Sequence, residues 1–181
     1  MSKTIASRAE IEQADPIVTT PLETVGAIDF RFIELMFFAY RQFTADADAI
    51  LASYGFGRAH HRILHFVNRS PGITIAELLD LLAITKQSLS RVLRQLIDEG
   101  FVAQVPGTED RRQRRLYPTG KGRSLTLELS RQQARRIDAA IAGIGPEGPG
   151  VVAEFLRRMG GDERSALSWL DTKVLNQGSL P

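Results

Sequence analysis

The chain has 181 residues, of which 43% are hydrophobic and 24% charged, with a formal net charge of +2 and no cysteine. An ordinary apolar fraction with balanced charge fits one folded domain with a sizeable core and excludes gross disorder. Without cysteine, disulfides, Cys-ligated zinc and thiol-based redox sensing are impossible.

Residues 1–27 are polar, contain Pro16 and Pro21, show no firm periodicity and are expected to form a flexible arm. They have neither the basic start nor the apolar run of a signal peptide. No stretch of the chain reaches the unbroken apolar length of a membrane span, so the expectation is a cytoplasmic protein without membrane contact. Helical structure is expected near Asp29. From Phe30 to Tyr54 the apolar residues Phe32, Ile33, Leu35, Met36, Phe37, Phe38, Tyr40 and Phe43 occupy more than one face. Such a helix is rarely free in solution, which predicts a dimerisation helix within 28–56. A second helix from Gly57 to Arg69, with Ile63, Leu64, Phe66 and Val67 inward, is ended by Pro71-Gly72.

Thr74-Ile75-Ala76-Glu77 has capping-box spacing, and Ile73 and Leu78 stand where a hydrophobic staple would lie. This predicts a helix to Leu82, a tight turn at Ala83-Ile84-Thr85, and a helix starting at Thr85 and ending at Gly100. In the latter, Leu89, Val92, Leu93, Leu96 and Ile97 form one stripe, and Gln87, Arg91, Arg94 and Asp98 the opposite one. Lys86, Ser88 and Ser90 flank its N-terminal end, the end that meets base edges when a recognition helix enters a major groove. Arginine forks onto guanine and glutamine onto adenine, so this face carries the groups that base readout requires.

After Gly100, Phe101 to Val105 is predicted as a strand, Pro106 to Asp110 as a turn, and Arg111 to Tyr117 as a returning strand stopped by Pro118. Between Thr85 and Arg123 nine basic residues (Lys86, Arg91, Arg94, Arg111, Arg112, Arg114, Arg115, Lys121, Arg123) face four acids (Asp98, Glu99, Glu109, Asp110), a net of +5. The rest of the chain is therefore −3. Positive charge concentrated on a helix-turn-helix and a hairpin is the footprint of a nucleic-acid surface.

Beyond Gly122, a helical stretch from Arg123 to Ile144 carries Leu125, Leu127, Leu129, Ile137 and Ile141, and Pro146-Glu147-Gly148-Pro149-Gly150 breaks it. A last helical region follows with Val151, Val152, Phe155, Leu156 and Met159, a break at Gly160-Gly161, and then Leu167, Trp169, Leu170 and Val174.

These residues resemble the MarR-type winged-helix transcription regulators over roughly Asp29 to Leu175. The likeness is sharpest in the strings Thr85-Lys86-Gln87-Ser88-Leu89-Ser90-Arg91-Val92-Leu93 and Leu96-Ile97-Asp98-Glu99-Gly100-Phe101-Val102, and in Asp110-Arg111-Arg112 leading to Thr119-Gly120-Lys121-Gly122. The helices are also similar to those of an alphaproteobacterial branch that includes PetP-type regulators. Pro118 departs from the pattern, which usually has an apolar strand residue there.

The resemblance implies a mainly α fold with a small β-hairpin wing: a winged helix-turn-helix flanked by N- and C-terminal dimerisation helices. The implied divisions are an arm (1–27), a dimerisation helix (28–56), a DNA-binding domain (57–122), C-terminal dimerisation helices (123–175) and a tail (176–181). It further implies a homodimer on a palindromic operator, with recognition helix 86–99 in the major groove and wing 101–118 at the minor groove. The DNA-binding set is then Thr85, Lys86, Gln87, Ser88, Ser90, Arg91, Arg94, Asp110, Arg111, Arg112, Arg114 and Arg115. A small-molecule effector is the family's usual logic, and the candidate pocket residues are Phe37, Tyr40, Arg41, His61 and His65.

No phosphate-binding glycine loop or nucleophile elbow points to an enzyme. His60, His61 and His65 are the one further constellation, and His61 and His65 are four apart on a predicted helix, a spacing that can serve a metal. No cysteine and no nearby acid completes a set, so no cofactor is expected. A metal- or haem-responsive regulator built on these histidines is one alternative. A winged helix used for protein contacts is another, but it would need neither the +5 patch nor the Gln-Arg-Arg face.

Overall fold

The computed structural model describes residues 18–19, 28–107, 113–161 and 168–171. The elements in chain order are α1 (Phe30–Ala52), α2 (Arg58–Arg69), β1 (Ile73–Thr74), α3 (Ile75–Leu82), α4 (Lys86–Asp98), β2 (Val102–Pro106), β3 (Arg114–Pro118), α5 (Gly120–Ala142) and α6 (Gly148–Met159). Two units divide the chain inside α1, one ending at Tyr40 and the other starting at Arg41.

In the first unit, α1 opens with Asp29, whose carboxylate accepts from the backbone N–H of Arg31 at 3.1 Å and from its guanidinium at 2.8–3.2 Å. This places an anion where the first helical N–H groups are unsatisfied. The apolar side chains that follow are exposed, Phe32 by 64% and Phe37 by 69%.

The second unit holds the core. Leu51, Ile63, Leu64, Val67, Leu78, Leu89, Leu96, Phe101, Leu116 and Leu129 are fully buried and come from α1, α2, α3, α4, β3, α5 and the loop before β2. Phe101 is the hinge of an aromatic cluster, meeting Phe56 edge-on at 5.1 Å and Tyr54 at 5.7 Å. Edge-to-face contact of this kind adds about 0.5–1.5 kcal/mol to the burial of the rings.

Local chemistry sets the helix-turn-helix. Thr74 accepts from the Glu77 N–H while Glu77 accepts from the Thr74 N–H at 2.7 Å, the reciprocal capping box expected from the sequence. The Thr74 backbone N–H, and then its hydroxyl, hold the Glu77 carboxyl below the ordinary carboxylate range. Helix α3 stops because Ala83 turns into the left-handed region at φ 50°, and Thr85 then caps α4 by accepting from the Ser88 N–H. Gly100, at φ 74°, ends that helix and turns the chain into the wing.

The sheet has three antiparallel strands in the order β1-β3-β2, one more than the predicted hairpin. β1 is only Ile73 and Thr74, opposite Leu116 and Arg115. Two residues carry no readable periodicity, which is why the sequence is silent on this strand. Pro118 does not stand outside β3: it is the last residue of the strand, opposite Val102, where a missing N–H costs least. The predicted turn at Pro106 is likewise corrected, since Pro106 still pairs with Arg114.

The expected start of α5 at Arg123 also moves, because Thr119 caps the helix by accepting from the Gly122 N–H at 3.0 Å, and the helix begins at Gly120. The boundary predicted between 122 and 123 therefore falls inside the first turn of α5. Gly122 must be glycine, as a Cβ there would run into the Phe101 carbonyl oxygen. α5 ends at Ala142 and α6 begins at Gly148, so the break falls at 143–147, three residues earlier than the predicted 146–150. Leu167 and Val174 lie outside the described residues. No described helix is long and apolar enough to cross a membrane.

Candidate nucleic-acid interface and adjoining cavity

α4 divides by its helical period. Leu89, Val92, Leu93 and Leu96 are buried, while Lys86, Gln87, Ser88, Ser90, Arg91, Arg94 and Asp98 are exposed. Spacings of four, three and four bring Gln87, Arg91, Arg94 and Asp98 onto one outward row. The row adjoins the wing: Ser90, Arg94 and Asp98 line the same surface depression as Gln104 of β2. Two of the predicted contact residues are engaged in the fold, since the Thr85 hydroxyl donates to Ser88 Oγ at 3.0 Å while accepting from the Ser88 N–H. Their hydroxyls set the start of the helix.

The base of the wing is closed by Gly107 N–H donating to the Gln113 carbonyl at 2.8 Å. Asp110, Arg111 and Arg112, the predicted tip, lie outside the described residues. Arg114 is exposed. Arg115 is half-buried, and its guanidinium donates to the Gly72 carbonyl and to Gln113 Oε1, each at 3.2 Å. It braces the sheet from within.

The three histidines part company. The Gly57 N–H donates to His60 Nδ1 at 3.1 Å, so the ring hydrogen sits on Nε2 and is donated to Gln95 Oε1 at 2.9 Å. Both ring nitrogens are thus satisfied within the protein. His61 and His65 are half-buried, and burial pushes both below the ordinary imidazole value; for His65 the neighbouring His61 and Arg69 act in the same direction. Among the described residues no group of three or more His, Asp or Glu is arranged to hold a metal.

Of the predicted pocket residues, His65 lines a cavity of about 510 Å³ in the second unit, shared with Asn68, Arg69, Arg123, Thr126, Leu127, Ser130 and Trp169. Phe37 and Tyr40 belong to the first unit and are exposed, and Arg41 is exposed as well. Asn68 joins the cavity walls, donating to the Leu64 carbonyl of α2 and to Thr126 Oγ1 of α5, both at 2.8 Å. Trp169 meets Phe66 edge-on at 5.0 Å. Sequence reasoning missed this set. The available signal was Arg123, Thr126, Leu127 and Ser130 recurring at three- and four-residue steps, a partly polar row along the side of α5 that lines the cavity.

Comparison with known proteins agrees with this geometry. The model of the MarR family matches residues 54–113. The HTH-type transcriptional regulator PetP of Rhodobacter capsulatus is 50% identical over 127 residues, covering 70% of this chain and 76% of that protein. Among solved structures, Streptococcus pneumoniae FabT in complex with DNA superposes with a TM-score of 0.65 at 19% identity, over 72% of this chain and 94% of its own. A MarR protein from Peptoclostridium difficile gives 0.64 at 20% identity, over 82% and 96%. The structural likeness establishes a shared winged-helix fold. The identity to PetP over most of its length establishes more: the chain belongs to the MarR family of transcriptional regulators.

Proposed function

We propose that the protein is a homodimeric, sequence-specific DNA-binding regulator, acting in the cytoplasm, whose α4 lies in the major groove and whose wing reaches the minor groove. The observation that carries this reading is the outward row of Gln87, Arg91 and Arg94 on a helix whose opposite side is fully packed. A rigid helix offering forked donors fits base edges, and phosphates would be met by Lys86, Arg114 and the wing arginines Arg111 and Arg112. The MarR-fold neighbour FabT was solved with DNA, which supports the docking mode.

Dimerisation is supported by apolar surface left open on both end regions. Phe32, Leu35 and Phe37 of α1 are exposed, as are Val151, Leu156 and Met159 of α6. In this reading 28–56 and 123–175 pair between subunits, 57–122 binds DNA, and 1–27 and 176–181 are an arm and a tail. The cavity beside His65 is the effector site we favour, and Arg69 and Arg123 beside the Trp169 indole suit a small amphipathic anion.

The test is enrichment of duplexes from a random pool by the purified protein, followed by anisotropy titration of the enriched and scrambled duplexes at several salt concentrations. A palindromic sequence bound at least about a thousandfold more tightly than its scrambled version is expected. Equal binding to all duplexes would overturn sequence-specific regulation. Trp169 is the only tryptophan in the chain, so its emission reports whether a candidate anion enters the cavity.

A further inference from the structure

The geometry points to His60 as a positioning residue that fixes the rotation of α4 about its own axis, and so the aim of Arg91; the inference rests on the reading of α4 as the base-reading helix. His60 lies on α2 and is held on three sides. Its ring stacks on the buried Phe56 at 4.6 Å with 6° between planes, its Nδ1 accepts from Gly57, and its Nε2 donates to Gln95 of α4. Gln95 in turn donates to Glu99 Oε1 at 2.9 Å, one turn further along α4. From the same helix, Arg62 Nη2 donates to the Leu82 carbonyl at 2.8 Å, pinning the end of α3 just before the turn into α4. α2 therefore grips both helices of the helix-turn-helix by directional bonds.

Why a single bond matters follows from the position of Gln95. It is half-buried and lies one turn from Arg91, on the flank between the outward row and the packed row. Burial of Leu89, Val92, Leu93 and Leu96 fixes how deep α4 sits, but apolar attraction is non-directional and tolerates small rolls of a helix. A roll of about 20° carries a side-chain tip, at roughly 5–6 Å from the axis, through about 2 Å. Forked base contacts do not survive displacements of that size. The bond from His60 to the flank of α4 opposes that roll.

The experiment uses the duplex enriched by the wild-type protein and its scrambled version. Asparagine sets an acceptor near the place of Nδ1 but cannot reach Gln95, whereas glutamine extends an amide donor to the place of Nε2. His60→Asn and Gln95→Ala are expected to lose about tenfold on the enriched duplex and less than about twofold on the scrambled one, with dimer mass unchanged. His60→Gln keeps affinity within about threefold of wild type, and the double variant His60→Asn/Gln95→Ala loses no more than either single change. Losses equal on both duplexes, additive losses, or no loss at all would overturn the proposal. If His60→Asn does not fold, Gln95→Ala decides alone, since alanine is the best helix former. A wild-type protein that enriches no sequence would instead remove the base-reading role on which the inference rests.

Discussion

α4 and the first half of α1 are both helices with many large apolar residues, yet they end in opposite situations. In α4 the apolar residues recur on one side and are buried within the chain, Leu89 and Leu96 completely. In α1 between Phe30 and Tyr40 they crowd several sides, and Phe32, Leu35, Phe37 and Phe38 remain more than half exposed. A stripe is a statement about the chain's own core. Apolar residues all round are a statement about something outside it, because a monomer rarely leaves such a surface in water.

The largest effect should come from attacking α1. Phe32→Glu with Phe37→Glu is expected to convert a dimer to a monomer, halving the mass measured by light scattering at about micromolar concentration and lowering operator affinity at least about a hundredfold through lost bivalency. A dimer of unchanged mass would mean that this surface serves some other contact.

Gly122→Ala probes the opposite case, where the chain packs against itself. Forcing a Cβ against the Phe101 carbonyl should cost about 2–4 kcal/mol in urea unfolding, since backbone rather than a flexible side chain must move. A loss under about 0.5 kcal/mol would show that the α5–Phe101 contact relaxes freely.

Within the proposed DNA surface, Arg91→Ala is expected to cost about 1–3 kcal/mol on operator and little on random DNA, because base contacts specify. Arg112→Ala should weaken all sequences alike and lower the salt slope by about one unit per lost phosphate contact. Equal losses for Arg91→Ala on both duplexes would withdraw Gln87, Arg91 and Arg94 as specificity residues.

The smallest effect concerns acidity. His61 and His65 hold protons less tightly when folded than the 6.5 of a free imidazole, chiefly because they are buried. The unfolded chain therefore takes up protons first as pH falls. Stability is full above about pH 6.5 and is lost progressively below it. Thermal melting across this range should show that fall, and His65→Gln should reduce its steepness. A melting temperature that rises on acidification would contradict the burial of these rings.

Much of the fold was legible because it is written locally. Thr74 and Glu77 are three residues apart and cap each other wherever the rest of the chain goes. The stripe of α4 repeats every three or four residues, Gly100 stops it, and the charge of the helix and wing can be counted directly. The MarR resemblance rests on these same strings, and the match to PetP bears it out.

What only the tertiary structure decided involves partners far apart in sequence. β1 exists because Leu116 and Arg115 lie opposite its two residues. Arg115, predicted as a DNA contact, is drawn to the carbonyl of Gly72, 43 positions away. His60 reaches Gln95 across 35 positions, a bond that no local pattern in the sequence announces. The cavity wall joins Asn68 to Thr126 across 58. Caps and stripes depend on neighbours fixed by the covalent chain, whereas strand pairing, braces and cavities depend on which surfaces the buried core brings together.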